Sequence, residues 1–270
     1  MKSKAKFFAL PYIVWMSIFI IAPLAIVAYF AFTDSTGAFS LDNIIKLRDY
    51  IPIFTTSIWL GAVAALICLV IAYPVAYFIA NTGEKWQRFL VMLIMLPMCM
   101  SFLLRTMAWV SILSDNGIIN NILTSIGFSP LPLIRNNGAV ILGMVYNYLP
   151  FMIMPLYTVL MKMDNSVLEA ARDLGANRFQ VFRRVILPMS LPGIITGITM
   201  VFVPAVSTFY ISRKLGDASL TMIGDVIESQ FKTAYNPNLG AAMSLALMVL
   251  IFVCMGIMNR FSDDEEEILL

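Results

Sequence analysis

The residues of this chain best suited to chemistry with another molecule lie in Glu169-Ala170-Ala171-Arg172-Asp173-Leu174-Gly175-Ala176, running on to Leu187-Pro188. This is the most polar interior stretch of a very apolar chain. Glu169, Arg172 and Asp173 offer charged hydrogen bonds, and the two alanines let a partner's backbone come close. Arg105 is the lone charge inside an apolar run. Such a residue marks a functional site by default. A cation there favours an anionic cargo; the alternatives are snorkelling to the outer surface, binding helix carbonyls, or pairing with an acid of a partner subunit. Trp109, Tyr146, Tyr148, Tyr157, Phe209 and Tyr210 lie in or near the third, fourth and fifth apolar runs. Their ring faces can carry an alkylammonium at about 0.5–2 kcal/mol each. They can equally be packing or interfacial belt residues.

Other chemistries are excluded. The chain has no histidine, the commonest metal ligand and general base, so neither a catalytic nor a metal site is expected. No G-x-x-x-x-G-K-[ST] pattern and no Gly-Lys pair occurs, so the chain cannot hydrolyse ATP by a P-loop. No basic stripe interleaved with aromatics lies outside the apolar runs, which leaves nucleic-acid binding without support. Cys68, Cys99 and Cys254 fall within apolar runs and read as small core residues, with no disulfide expected.

The elements that must position these groups are membrane helices. Of 270 residues, 60% are hydrophobic and 13% charged, so the solvent is a bilayer. About twenty apolar residues span one. Six runs qualify: Leu10–Phe32, Trp59–Ala80, Phe89–Leu113, Ala139–Met161, Gly193–Ser212 and Gly240–Met258. The fold class is therefore all-α integral membrane with six transmembrane helices. The first run follows Lys2, Lys4 and Lys6 like a signal peptide, but it is too long for one and reads as an uncleaved anchor. With the N-terminus inside, eleven Lys and Arg fall on inner segments and six on outer ones, which places both termini and the 169–188 loop in the cytoplasm. Prolines 23, 74, 97, 150, 155 and 204 interrupt five spans, as simple kinks or as hinges of a gate.

Within the loop, Ser166 and Glu169 form a capping-box pattern that starts a helix at Val167; a pairing of Glu169 with Arg172 is a further local role. Gly175 offers a left-handed exit, Asn177 and Gln180 repeat a weaker cap, and Pro188 closes the second helix. Two outer segments carry helical apolar spacing. One is Asn116–Ile126. The other is Ser219–Phe231, with Leu220, Ile223, Ile227 and Phe231 on one side and Asp225 and Glu228 off it.

The pattern E-A-A, three residues, G, nine residues, a β-branched residue, one residue, L-P resembles the EAA loop of type I ABC-transporter permeases. Glu169, Ala170, Ala171, Gly175, Leu187 and Pro188 fit it, and Val185 stands where isoleucine is usual. The resemblance extends over nearly the whole chain. It implies a type I ABC importer permease fold with a permease domain at 54–260, an N-terminal anchor and first outer loop at 1–53, and an acidic cytoplasmic tail at 261–270. It also implies an ATP-coupling role for the loop. Glu169 would face a basic partner on the ATPase, Ala170 and Ala171 would keep the helix thin, and Gly175 would supply the turn. Leu149–Tyr157, Leu168–Ala176, Val203-Pro204-Ala205 and Phe209-Tyr210 look more narrowly like permeases of spermidine/putrescine importers. Those work with a second homologous permease, two ABC ATPase subunits that hold ATP and magnesium, and an extracytoplasmic solute-binding protein. The chain itself is then no enzyme and binds no cofactor. An ABC permease for an anion such as sulfate, or for ferric iron, is the nearest alternative. A self-sufficient secondary transporter would need intramembrane carboxylates, and the six runs have none.

Overall fold

The computed structural model describes residues 12, 14–34, 36–217 and 219–269, with backbone alone at 165, 259 and 261–269. Lys2, Lys4 and Lys6 and the acidic side chains of 263–267 fall outside that description. The chain runs through α1 (Val14–Ala31), α2 (Ile51–Ala80), α3 (Glu84–Met95), α4 (Phe102–Leu113) and α5 (Ile118–Ser125). It continues with α6 (Asn137–Met161), α7 (Asn165–Asp173), α8 (Arg178–Met189) and α9 (Leu191–Val206). The last elements are α10 (Tyr210–Leu215), α11 (Ile223–Lys232) and α12 (Pro237–Leu269).

Among the described residues four helices, α1, α2, α6 and α12, are long and apolar enough to cross a membrane. Counting each of two bent pairs as one span raises this to six. The core is the mutual packing of α2, α6 and α9. Ala64, Cys68, Ala72 and Ala76 recur every fourth residue on α2 and are fully buried. Such a stripe of small side chains lets helix backbones approach closely in lipid, where packing rather than water exclusion drives association. Helix α1 packs on α12, and Asn238 at the start of α12 donates to the Thr33 carbonyl at 2.8 Å.

Two expected spans are not single straight helices. The run Phe89–Leu113 is broken after α3: the limbs Glu84–Cys99 and Phe102–Ser125 meet at 88°. Pro97 cannot donate to the helix ladder, and Met100 and Ser101 then adopt extended backbone (ψ 149° and 131°) before α4 restarts. The run Gly193–Ser212 is helical only to Val206; the helix restarts at Tyr210. A second bend, of 61°, separates α8 from α9. By contrast Pro74, Pro150, Pro155 and Pro204 sit inside continuous helices. Cys68 is buried, but Cys99 is exposed beside the first bend, contrary to its reading as a core residue.

Candidate functional site

At one end of the bundle α7, a glycine turn and α8 form a surface-borne hairpin. Asp164, not Ser166, is the N-cap of α7: its carboxylate accepts the Ser166 N–H at 2.9 Å, and the helix starts at Asn165 rather than Val167. The Ser166–Glu169 box does not form, because Asp164, two residues earlier, caps the helix and accepts the Ser166 N–H instead. Glu169 is exposed, with neither a hydrogen bond nor an ion pair to Arg172. Ala170, Arg172 and Asp173 are exposed beside it, while Ala171 turns inward against the core. Gly175 takes φ +81°, and a side chain there would meet no atom, so its need for glycine is conformational alone. Asn177 and Gln180 close a reciprocal capping box at 2.8 and 2.9 Å.

The hairpin is keyed to α2. Phe182 packs edge-on against Tyr73 at 5.6 Å, and the Tyr73 hydroxyl bonds the Ser190 hydroxyl at 2.9 Å, next to exposed Leu187 and half-buried Pro188. A cavity of about 680 Å³ lies between them, walled by Tyr73, Tyr77, Phe182 and Ile186, with Arg172 and Arg178 on its rim.

The candidate path residues do not converge on one site. Trp109 and Tyr146 form a T-shaped pair at 5.4 Å. Tyr210 pairs with Phe102, which the sequence reading did not single out, at 6.1 Å. The Tyr148 hydroxyl donates to the Pro204 carbonyl at 3.3 Å. Tyr157 lies a turn from the hairpin end, its hydroxyl 3.0 Å from Met161 Sδ, and joins none of these. Arg105 does not snorkel. It is 9% exposed, and among the described residues its Nε and Nη1 are buried without hydrogen-bond partners.

At the opposite end, the break at Ser207–Phe209 meets α11. A Cβ on Gly224 would lie 2.4 Å from the Ser207 carbonyl oxygen and 2.6 Å from that of Thr208, so only glycine lets α11 seat there. The Ile223 N–H at the head of α11 donates to Ser57 Oγ of α2 at 2.8 Å. Asp225 and Glu228 do not face away from the packing as the periodicity implied, because α10 covers that side. Asp225 Oδ2 accepts from Ser212 Oγ at 2.6 Å and from the Met222 N–H at 3.2 Å. Arg213 bridges Asp225 (3.5 Å) and Glu228 (2.6 Å), and Lys232 holds the other oxygen of Glu228 at 2.8 Å. Burial pushes the Asp225 carboxyl up, outweighing its bonds and Arg213. The Lys232 ammonium, aided by Arg213, holds Glu228 below the usual carboxylate range. Phe209 stands apart from the other aromatics: with Glu228 it lines a cavity of about 400 Å³ between the break, α11 and α12. The signal for Glu228 in the sequence was its i,i+4 spacing to Lys232.

Comparison with known proteins places this architecture. The family described as "Binding-protein-dependent transport system inner membrane component" matches residues 69–264. The chain is 37% identical over 247 residues to a "Spermidine/putrescine transport system permease protein PotB" of Haemophilus influenzae, covering 88% of this chain and 86% of that protein. Against the protein of the same description from Escherichia coli K12 the identity is 37%, over 88% and 90%. Among solved structures, a chain from the crystal structure of a bacterial ABC transporter involved in the import of the acidic polysaccharide alginate superposes with a TM-score of 0.81. It is 19% identical, over 97% of this chain and 96% of that one. A chain of the MetNI methionine ABC transporter, in an inward-facing conformation, gives 0.58 at 17% identity, over 80% and 98%.

Proposed function

We infer the function from one premise: the chain belongs to the family of inner-membrane components of binding-protein-dependent transport systems, and is a permease subunit of a bacterial ABC importer. Its cargo is a polyamine, spermidine or putrescine. The observation that carries the substrate class is the 37% identity to spermidine/putrescine permeases over 88% of the chain. In this reading the chain crosses the inner membrane six times, with the bent α3–α4 run as one span and α9 as another, and with both termini and the α7–α8 hairpin in the cytoplasm. Residues 54–260 form the permease domain, 1–53 an anchor and outer loop, and 261–270 an acidic tail.

The chain forms half of the translocation pathway. A second homologous permease forms the other half, two ABC ATPase subunits dock inside with ATP and magnesium, and a solute-binding protein delivers cargo outside. Helix α7 is the coupling element. Its free Glu169 carboxylate is available to a basic group of the ATPase, Ala170 leaves room for contact, and Arg172 and Asp173 flank it. Ala171 and Phe182 tie the same helix pair to the core, so a push on the hairpin reaches α2 through Tyr73. Gly175, Leu187 and Pro188 set the hairpin's turn and its exit into α9. Trp109, Tyr146, Tyr148, Phe209 and Tyr210 offer weak aromatic contacts to an alkylammonium. Weak contacts suit a path that must release its cargo. Arg105 is the specific observation favouring an anion instead.

Uptake of radiolabelled spermidine and putrescine into cells with and without the chain tests this, with sulfate and ferric iron as controls. Loss of polyamine uptake alone is expected. Unchanged polyamine uptake with loss of sulfate uptake would overturn the substrate class and put Arg105 at the centre of the path.

A further inference from the structure

The six apolar runs hold no carboxylate, yet a polyamine carries several ammonium groups. A carboxylate does stand just outside the spans. Glu228, on α11, lines the cavity of about 400 Å³ together with Phe209, Ser207, Ser244, Met248 and Ile251. That volume falls in the range of about 300–1,000 Å³ usual for small-molecule sites. The wall combines one acidic residue, two aromatic rings (Phe209 and Phe252), two hydroxyls and an aliphatic remainder. This is the complement of an ammonium on a methylene chain: carboxylate and ring for the charge, aliphatic wall for the methylenes. The Ser207 and Ser244 hydroxyls spend their protons on the Val203 and Gly240 carbonyls, at 3.0 and 2.9 Å, so each presents lone pairs to a further donor.

The chain already shows what Glu228 binds. One of its oxygens holds Lys232 Nζ at 2.8 Å. A lysine side chain is an ammonium on four methylenes, chemically the aminobutyl arm shared by putrescine and spermidine. The two partners of Glu228 are unequal. Arg213 is anchored between two acids, whereas the Lys232 side chain is 73% exposed and joined by a single i,i+4 contact. A surface pair of that kind holds weakly.

We propose, resting on the polyamine reading above, that Glu228 and Phe209 form a cation site at the outer end of the permease for the aminobutyl arm of the cargo, and that Lys232 occupies Glu228 until the cargo displaces it. Arg213 stays in place and keeps α11 on α10 during the exchange.

The test is equilibrium binding of radiolabelled spermidine to the assembled permease–ATPase complex without its binding protein, with uptake by the complete system measured in parallel. Glu228→Gln is expected to weaken binding by about ten- to a hundredfold, the loss of a charge-assisted hydrogen bond. Lys232→Gln is expected to tighten it by about two- to fivefold, as an exposed competitor is removed. Lys232→Gln should have no effect in the Glu228→Gln background, because the competition needs the carboxylate. A merely structural tie would give no tightening in Lys232→Gln and would overturn the proposal, even where Glu228→Gln destabilises the complex. Spermidine uptake by the wild type with unchanged binding in both variants overturns the site alone. A wild type that takes up no polyamine overturns the functional reading and the site with it.

Discussion

At the scale of single residues, buried charge is the informative quantity. The Arg105 guanidinium sits in an apolar helix, 9% exposed, with two nitrogens unpaired. A buried guanidinium with so few partners within its own chain is costly to keep, which points to work rather than to stability. Arg105→Met is expected to raise the melting temperature of the purified complex, by an amount equivalent to about 1–4 kcal/mol, and to lower uptake. Thermal melting and transport on the same preparation check both. Asp225 offers a pH test with a definite sign. Burial raises its folded pKa above the ordinary 3.8. An acid shifted upward contributes stability that is complete below 3.8 and is lost as pH rises through the folded value. Asp225→Asn therefore stabilises the complex at pH 7, and the gain shrinks as pH falls toward 4. Glu228 has the opposite sign: its lowered pKa gives stability that is present above 4.5 and lost as pH falls through the folded value. Melting curves of the two Asn and Gln variants against pH should diverge accordingly.

At the scale of elements, α2 is the piece that touches both ends. Tyr73 meets the hairpin through Phe182 and Ser190, and sixteen residues earlier Ser57 caps α11. At 1.5 Å per residue the two contacts are roughly 24 Å apart along one helix. Ser57→Ala leaves the Ile223 N–H buried without its acceptor, at a cost of about 1–3 kcal/mol. The expected outcome is a lower melting temperature with α11 protected less against hydrogen exchange, while the α7–α8 hairpin keeps its protection. Equal loss of protection at both would show that α2 does not separate them. Much of the element structure was legible beforehand. Apolar runs mark the spans, Gly175 marks the turn, and Asn177 with Gln180 marks a cap, because all of these are local patterns. The 88° bend was not legible, since one proline out of six causes it and the others sit in unbroken helices. The head of α11 was not legible either. Its cap comes from Ser57, 166 residues away, and periodicity cannot show that α10 covers the side of Asp225 and Glu228.

At the scale of the whole molecule, the distribution of burial separates surfaces that face lipid from surfaces that await protein. In α1 6% of the apolar window is buried within the chain and in α12 22%, against 56% in α6. Large apolar side chains on outer helices are normal in lipid. The exposed α7 is different: a polar helix with a free carboxylate, joined to the core by Ala171 on its inner side. Among the described residues no side chain bonds Glu169, so its removal is expected to cost the fold little. Glu169→Ala is therefore expected to leave insertion, melting temperature and spermidine binding unchanged. If the carboxylate meets a basic group of the ATPase, losing that charge-assisted bond removes about 1.5–3 kcal/mol of docking or coupling energy, about tenfold or more in rate. Uptake should fall by at least that factor while the ATPase still hydrolyses ATP. Unchanged uptake would remove Glu169 from the coupling contact and leave the inward-turned Ala171 and Phe182, which connect α7 and α8 to Tyr73, as the route by which ATP hydrolysis moves the bundle.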